Sequence, residues 1–474
     1  MDLIEIYFEV VYPIFPFFHQ PTTMRRVSRG EHRTNRAFFA ATMAMCAISS
    51  ARVRDGAVFS NQWDLASLSE PSSETFFAAS EHALSQGTVG AAELDDLRAC
   101  AVLSITAIQY GQPRTMRHYL GLYHTSVETD FLHDETQWPR DIGIVETEER
   151  RRLFWSMYTL DVYTSIIWGG VIRSREAQAN VTYPRTFNDN EISNAGYGQP
   201  PSLSFDTPPL TSDSDIRQRW VYGWNFTTDL YRILEHVVDH FRRRRPEHRL
   251  VTHIDGIFGQ DSVPGATVLD AILELYKALP GRFKETPSAS EAIEHRLNFQ
   301  TANIAATIQL VRMMLFAAED TTVEQRCCVA SELLQAFSDI PVMYLRAISA
   351  PLLHHLAGIG SLLGSVFEKG LPESSYQHVR TVLSSMVRLL ASLEVGLYCT
   401  AGASSRIHRL IESIDEYVRS QRQLVEVAPQ SLAQAQCDST VVPPYLDPDS
   451  PLFLLPPELL EDWSWAFAFA HPGD

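Results

Sequence analysis

Lysine is almost missing from this chain: of its 39 basic residues only Lys277, Lys284 and Lys369 are lysines. None follows a glycine, which excludes a phosphate-binding loop of the G-K-[ST] type. Cysteine is sparse too. Cys46, Cys100, Cys327, Cys328, Cys399 and Cys437 form no C-x-x-C pair and no even framework, so they build neither a disulfide scaffold nor a zinc module. Most are expected to be reduced thiols in the core. No G-x-S-x-G elbow occurs, and Gly358-Ile359-Gly360 has Leu363 where a dinucleotide fingerprint needs its third glycine, so this pair reads as close helix packing.

Long apolar runs are lacking as well. The longest candidate, Pro351 to Phe367, contains His354 and His355 and falls short of the roughly 18 unbroken apolar residues that a membrane span needs. Met1-Asp2-Leu3-Ile4-Glu5 lacks the basic start and small-residue cleavage site of a signal peptide, and a soluble intracellular chain is the expectation. The formal charge of -18 opposes general binding to nucleic acid, whose affinity comes largely from Lys and Arg neutralising phosphates.

What is present is helix. With 474 residues, 45% of them hydrophobic, the chain can bury a large core. Apolar residues recur at spacings of three and four in Leu3 to Val11, Ala37 to Val53, Glu74 to Leu84, Glu93 to Tyr110, Arg114 to Leu132 and Glu148 to Trp168. Turn-rich stretches separate these segments, among them Gly111-Gln112-Pro113 and Trp138-Pro139. Residues 197–215, rich in Gly, Pro, Ser and Asp, read as a surface loop. Beyond it Ile216 to Arg243, Val268 to Leu279, Ser290 to Ala318, Thr322 to Phe337, Pro351 to Phe367, Ser375 to Ala391 and Ser404 to Leu424 again carry helical periodicity. The predicted fold is all-α: a multi-helix array over residues 1–424, followed by a disordered acidic tail over 425–474.

Glu148 to Val171 is the densest of these segments. Thr147 is placed to cap its start, Glu148 and Glu149 fall in the first turn, and Glu148 is spaced to pair with Arg152. Gly169 and Gly170 are placed to end it. Leu153, Met157 and Leu160 share an apolar stripe with Phe154, Tyr158 and Asp161 beside it, so the Asp161 carboxylate needs a partner. Asp161, Tyr158, Trp155 and Trp168 are candidates for lining a pocket, although an aromatic stripe at helical spacing reads first as core.

Glu148, Arg150, Arg151, Arg152, Leu153, Trp155, Tyr158, Asp161 and Gly169, standing as E-x-R-R-R-L-F-W-x-x-Y-x-L-D and a Gly pair, resemble the signature of the fungal-specific transcription factor regulatory domain. Tyr7-Phe8 through Pro13-Ile14-Phe15-Pro16-Phe17-Phe18-His19 is similar to the opening of that domain, and Ala37 through Ser50 to the small-residue helix after it. The likeness is closest over residues 1–190 and continues weakly to about residue 400. Val162 stands where the family often has Arg, and Gly170-Val171 where it often has Arg-Pro.

The resemblance implies a nuclear regulator of RNA polymerase II genes with no enzymatic activity. It also implies a DNA-binding module upstream, in which six cysteines hold two zinc ions. No such cluster stands in these residues, so no cofactor is expected in this chain. Zinc, and contact with DNA, are expected only from upstream sequence or from a partner, either a second copy or a DNA-bound relative. Roles in secondary metabolism or nutrient use are common among such proteins, and no residue here chooses between them.

Several constellations have competing readings. His236 and His240, with Asp239 beside them, have helix-borne zinc spacing, but Val237 occupies the place of a catalytic Glu and His248 lies beyond Pro246, so exposed or core-edge histidines are preferred. Asp95-Asp96 raises an all-α enzyme of terpenoid-synthase type. Without a third acid at the right spacing, solvated helix-start acids are preferred. Arg242, Arg243, Arg244 and Arg245 form either a nuclear import signal or the solvated end of a helix. Arg25, Arg26, Arg29, Arg33 and Arg36 are a looser basic cluster suited to DNA or a partner's acids.

After Arg422 the basic residues stop while eight acids follow. Acids interspersed with Trp463, Trp465, Phe467 and Phe469 read as an activation segment for a coactivator or the transcription machinery; the alternative is a tail docked on its own helices. A helical scaffold with no transcriptional role is the remaining reading.

Overall fold

The structure, a computed structural model, describes residues 1–433 apart from residues 59, 61, 86–92, 199–218, 244–264, 286–291, 319–321, 339, 349, 365–372 and 398–401. The described residues form fifteen α-helices and one two-stranded ribbon, and the periodicity predicts the all-α class and all but two of these helices.

In the first half the helices are α1 (Asp2–Ile6), which continues into a π-helical turn Tyr7–Val11, then α2 (Gln20–Ser28), α3 (Arg36–Arg54), α4 (Ser73–Ser85), α5 (Leu94–Gln109), α6 (Pro113–Thr129) and α7 (Ile144–Ile167). The ribbon pairs β1 (Ile192–Ser193) antiparallel to β2 (Gly196–Tyr197). There follow α8 (Trp220–Arg243), α9 (Gly265–Ala278), α10 (Ala292–Ala318), α11 (Val323–Ser338), α12 (Val342–Ile348), α13 (Ala350–Gly364), α14 (Glu373–Glu394) and α15 (Ala403–Ala433).

Helix α3 sits at the centre of the first half because it is apolar and small on nearly every side. Ala37, Ala40, Ala41, Ala44, Ala47 and Ala51 have no exposed surface, and a helix without a polar face must be surrounded. Asn35 starts it, its side chain accepting from Phe38 N at 2.7 Å. Such small residues let α4 and α5 approach closely enough for Ser80 Oγ and Ser73 Oγ of α4 to donate to the carbonyls of Ala40 and Ala47, at 2.8 and 2.6 Å.

Helix α8 packs on α7 and lies along α10, and in the second half α10 to α15 pack as a helical array. Gly358 and Gly360 of α13 do serve close packing: a Cβ on the first would meet Ile167 at 3.4 Å and on the second Ile407 at 3.0 Å. The last helix reaches Ala433, past the Leu424 at which its periodicity fades. Two helices carry no sequence signal strong enough to predict them. Helix α12 is only seven residues long, and α2 is begun by partners remote in sequence.

No helix among the described residues is long and apolar enough to cross a membrane. Cys46, Cys100 and Cys327 are buried free thiols, and burial pushes each up to about 12.

Candidate functional site

Helix α7 contains the signature residues, and nearly all of them reach out to chain segments far away in sequence. Its start differs from expectation. Thr147 lies inside the helix and donates to Gly143 O at 3.1 Å, because α7 begins at Ile144. The first turn is satisfied instead by Asn194, between β1 and β2, whose Oδ1 accepts from Val145 N at 3.2 Å and packs so closely on Gly143 that a Cβ there would collide with it.

The expected Glu148–Arg152 pair is also replaced. Glu148 accepts from Arg151 Nη1 at 2.9 Å, from Tyr197 OH at 2.7 Å and from Arg185 N at 2.8 Å. Arg152, 1% exposed, donates to Asp189 Oδ1 at 2.5 Å and to Tyr12 OH at 3.0 Å. Tertiary partners win here because both side chains are buried, where an unpaired charge is expensive and each remaining lone pair or proton needs its own partner.

The other charges of the signature follow the same rule. Glu149 accepts from His19 N and stands 2.7 Å from Arg98 Nη2. Arg151 also grips Glu135 with two parallel bonds of 2.8 and 2.9 Å. Arg150 alone stays local, pairing with Glu146 one turn back. Trp155 Nε1 donates to Thr182 O at 3.1 Å, and Tyr158 OH to Glu235 Oε2 at 2.6 Å. Asp161 finds its partners in the backbone N–H groups of Arg173 and Ser174, with His124 Nε2 lying 3.3 Å from its other oxygen. Leu153 is pure core. At the end of α7, Gly169 takes φ 64°, a left-handed conformation that stops the helix, and Arg117 donates to the Trp168 carbonyl at 2.7 Å.

The irregular segment after the π-helical turn is held by the same means. It is buried without a regular hydrogen-bond ladder, so its carbonyls need side-chain donors. Gln300 Nε2 donates to Pro13 O at 2.5 Å, Trp224 Nε1 to Ile14 O at 3.0 Å, Tyr7 OH to Phe15 O at 3.0 Å, and Arg98 Nε to Phe17 O at 3.0 Å. Helix α2 then starts under two carboxylates, Glu149 on His19 N and Asp189 Oδ2 on Gln20 N at 2.7 Å.

Asp95 and Asp96 are not the solvated acids expected of a helix start. Asp95 is 5% exposed and lies between Arg98 Nη1 at 2.6 Å and Arg26 Nη2 at 2.8 Å, while Asp96 pairs with Arg36 and caps Glu93 N. Arg26 is distant in sequence, which hides the pairing from local reading. Burial works to raise the carboxyls of Asp95 and Asp189, but Arg98 and Arg26 on the first, and Arg152, His19 and the Gln20 N–H on the second, hold both below the usual range. An open cleft of about 920 Å³ lies beside this clasp, with Arg25, Glu146, Arg150 and Asn190 on its walls.

The candidate pocket residues Trp155, Tyr158, Asp161 and Trp168 are core, each at most 5% exposed. A cavity of about 60 Å³ does lie against α7, but on Thr159, Leu160 and Tyr163. His236 is exposed and stands 3.7 Å from Glu176, and Asp239 is taken by Arg175. Of the loose basic cluster, Arg26 and Arg36 are turned inward onto acids. Arg242 donates to Ser165 O and Oγ at 2.9 and 2.7 Å, so it is not a solvated helix end. Arg243 closes α8, whereas Arg244, Arg245, His248 and the tail residues Trp463, Trp465, Phe467 and Phe469 lie outside the described residues.

No curated protein and no solved structure matches the chain. The family model described as the fungal specific transcription factor domain does match, over residues 4–278, a stretch that holds the irregular opening segment, the charged clasp and all of α7. Since that match spans more than half of the 474 residues, the chain belongs to the fungal specific transcription factor domain family.

Proposed function

We propose that this protein regulates transcription by RNA polymerase II in the nucleus, with the helical array as its regulatory domain and residues 425–474 as its activation segment. The observation that carries the reading is the family match over residues 4–278, which takes in the signature residues Glu148 to Asp161 on one helix, their charges paired within the fold. The composition of the tail supports the activating direction, since its acids keep Trp463, Trp465, Phe467 and Phe469 in solution until a coactivator groove takes them up. Contact with DNA is supplied by a zinc-cluster module that these residues do not contain, joined to this chain or carried by a partner.

The enzyme reading is disfavoured by geometry. A terpenoid synthase uses paired aspartates to hold magnesium on a diphosphate, and here Asp95 and Asp96 face Arg26, Arg98 and Arg36.

The test tethers residues 423–474 to an unrelated DNA-binding module upstream of a reporter. Activation is expected, and it should fall when Trp463, Trp465, Phe467 and Phe469 are changed together to Ala. An inert tail would remove the activator reading. Mapping the 5′ end of the transcript decides where the DNA-binding module resides: six cysteines with zinc-cluster spacing in frame upstream put it on this chain, and a start at Met1 puts it on a partner.

A further inference from the structure

Arg52 is a buried guanidinium with too few partners. It projects from α3 at 2% exposure, and among the described residues its side chain makes one hydrogen bond, from Nη1 to Ile348 O, at the end of α12, at 3.1 Å. Its Nε has no hydrogen-bond partner, and among the described residues no carboxylate lies in salt-bridge range of it. Asp55, one turn on, is the acid that acts on it, but that carboxylate accepts from Gln109 Nε2 at one oxygen and stands 3.6 Å from Arg54 Nε at the other. Burial pushes the Arg52 guanidinium down to about 10, against the pull of Asp55, so the charge persists at neutral pH without an ion pair. A buried charge left in this state is costly unless something of opposite sign meets it.

Among the described residues Arg52 is also the one cationic side chain on the wall of the 60 Å³ cavity. The rest of the wall is largely apolar, from Val10, Ile14, Leu160 and Leu352, with Asn303 adding an amide. Thr159, Thr227 and Thr228 commit their hydroxyl protons to carbonyls of their own helices, so they offer an occupant only acceptor lone pairs. The volume is roughly four times what admits a single water. That is room for a few non-hydrogen atoms, not for a nucleotide or a large metabolite.

We infer that this cavity binds a short aliphatic monocarboxylate, of about two to four carbons, whose carboxylate pairs with Arg52 while its hydrocarbon end lies against Val10, Leu160 and Leu352. Charge-assisted pairing answers the open guanidinium donors, and the apolar wall selects a carboxylate with a hydrocarbon body over a bare inorganic anion. The occupant touches α3, α7 and α8 on one side and α10, α12 and α13 on the other, so binding favours the docked arrangement of the two halves. The inference rests on the regulatory reading for its consequence in the cell but not for the binding, which is measured without a reporter.

The experiment is thermal unfolding and calorimetric titration of the full chain with propionate, set against neutral propionamide and against chloride. Propionate is expected to raise Tm saturably, with propionamide and chloride giving no saturable shift. Arg52→Met should weaken propionate binding by about tenfold or more, the loss of a charge-assisted contact. Ala306→Leu fills the cavity and leaves Arg52 in place, so it keeps the test decisive if the first variant folds poorly, and it should abolish binding. A shift that propionamide or chloride reproduces, one that survives both substitutions, or none at all with wild-type protein overturns the assignment, and none of these outcomes touches the tethering result for the tail.

Discussion

The two halves of this molecule are held together by different physics. In the first, the segments around α7 are joined by buried polar contacts between residues far apart in sequence: Arg152 with Asp189, Glu149 with His19 N and Arg98, Tyr158 with Glu235. In the second, α10 to α15 meet mainly through apolar faces, and ion pairs such as Arg380–Asp415 and Arg312–Glu332 sit toward solvent. An apolar face asks only for residues of suitable size at the right period, whereas a buried guanidinium asks for one partner at one distance. A recognisable motif stands in the half that depends on residue identity, and the family match ends at residue 278, before α10 begins.

The comparison breaks first at Arg152. Arg152→Ala leaves Asp189 buried and unpaired, and should cost about 3–5 kcal/mol in a denaturant titration. Arg152→Lys should recover little, because an ammonium cannot serve Asp189 and Tyr12 in the geometry of the guanidinium. In the apolar half, Leu310→Ala should cost about 2–5 kcal/mol, but here the conservative exchange Leu310→Met should cost less than about 1.5. If Arg152→Lys proved as mild as Leu310→Met, the contrast between the halves would collapse.

Acid should separate them next. A carboxyl held below its value in the unfolded chain adds stability above that value and loses it as pH falls toward its folded one. Asp95 and Asp189 are both held low, so stability should decline as pH drops below about 4, and Asp189→Asn should flatten that decline in urea midpoints measured across the acid range. The smallest effect belongs to the surface. Arg380→Ala, removing a partly exposed partner of Asp415, should change stability by less than about 1 kcal/mol.

Much of the helical array was legible because helix periodicity is local. Helices α3 to α7 and the long ones after α8 announce themselves through spacings of three and four, and the stop at Gly169 through a residue that tolerates φ 64°. Helix α2 was not legible, because the groups that start it are Glu149 and Asp189, on other elements. Nor was the true start of α7, where a local threonine was the visible candidate and a distant asparagine does the work. Asp95 looked solvated for the same reason: its second arginine belongs to α2.

By itself the sequence determined the all-α class, the absence of a zinc cluster or phosphate loop in these residues, and the resemblance to a regulatory domain. All of these rest on composition, period and short motifs. Tertiary structure alone decided that Arg151 meets Glu135 and Arg152 meets Asp189, and that the cavity lies on Thr159 and Tyr163, not on Trp155 and Tyr158. It also brought Arg52 to the carbonyl of Ile348. The physical reason is range: helical period is set by neighbours three and four residues away, while the partner of a buried charge is set by where the whole chain closes around it.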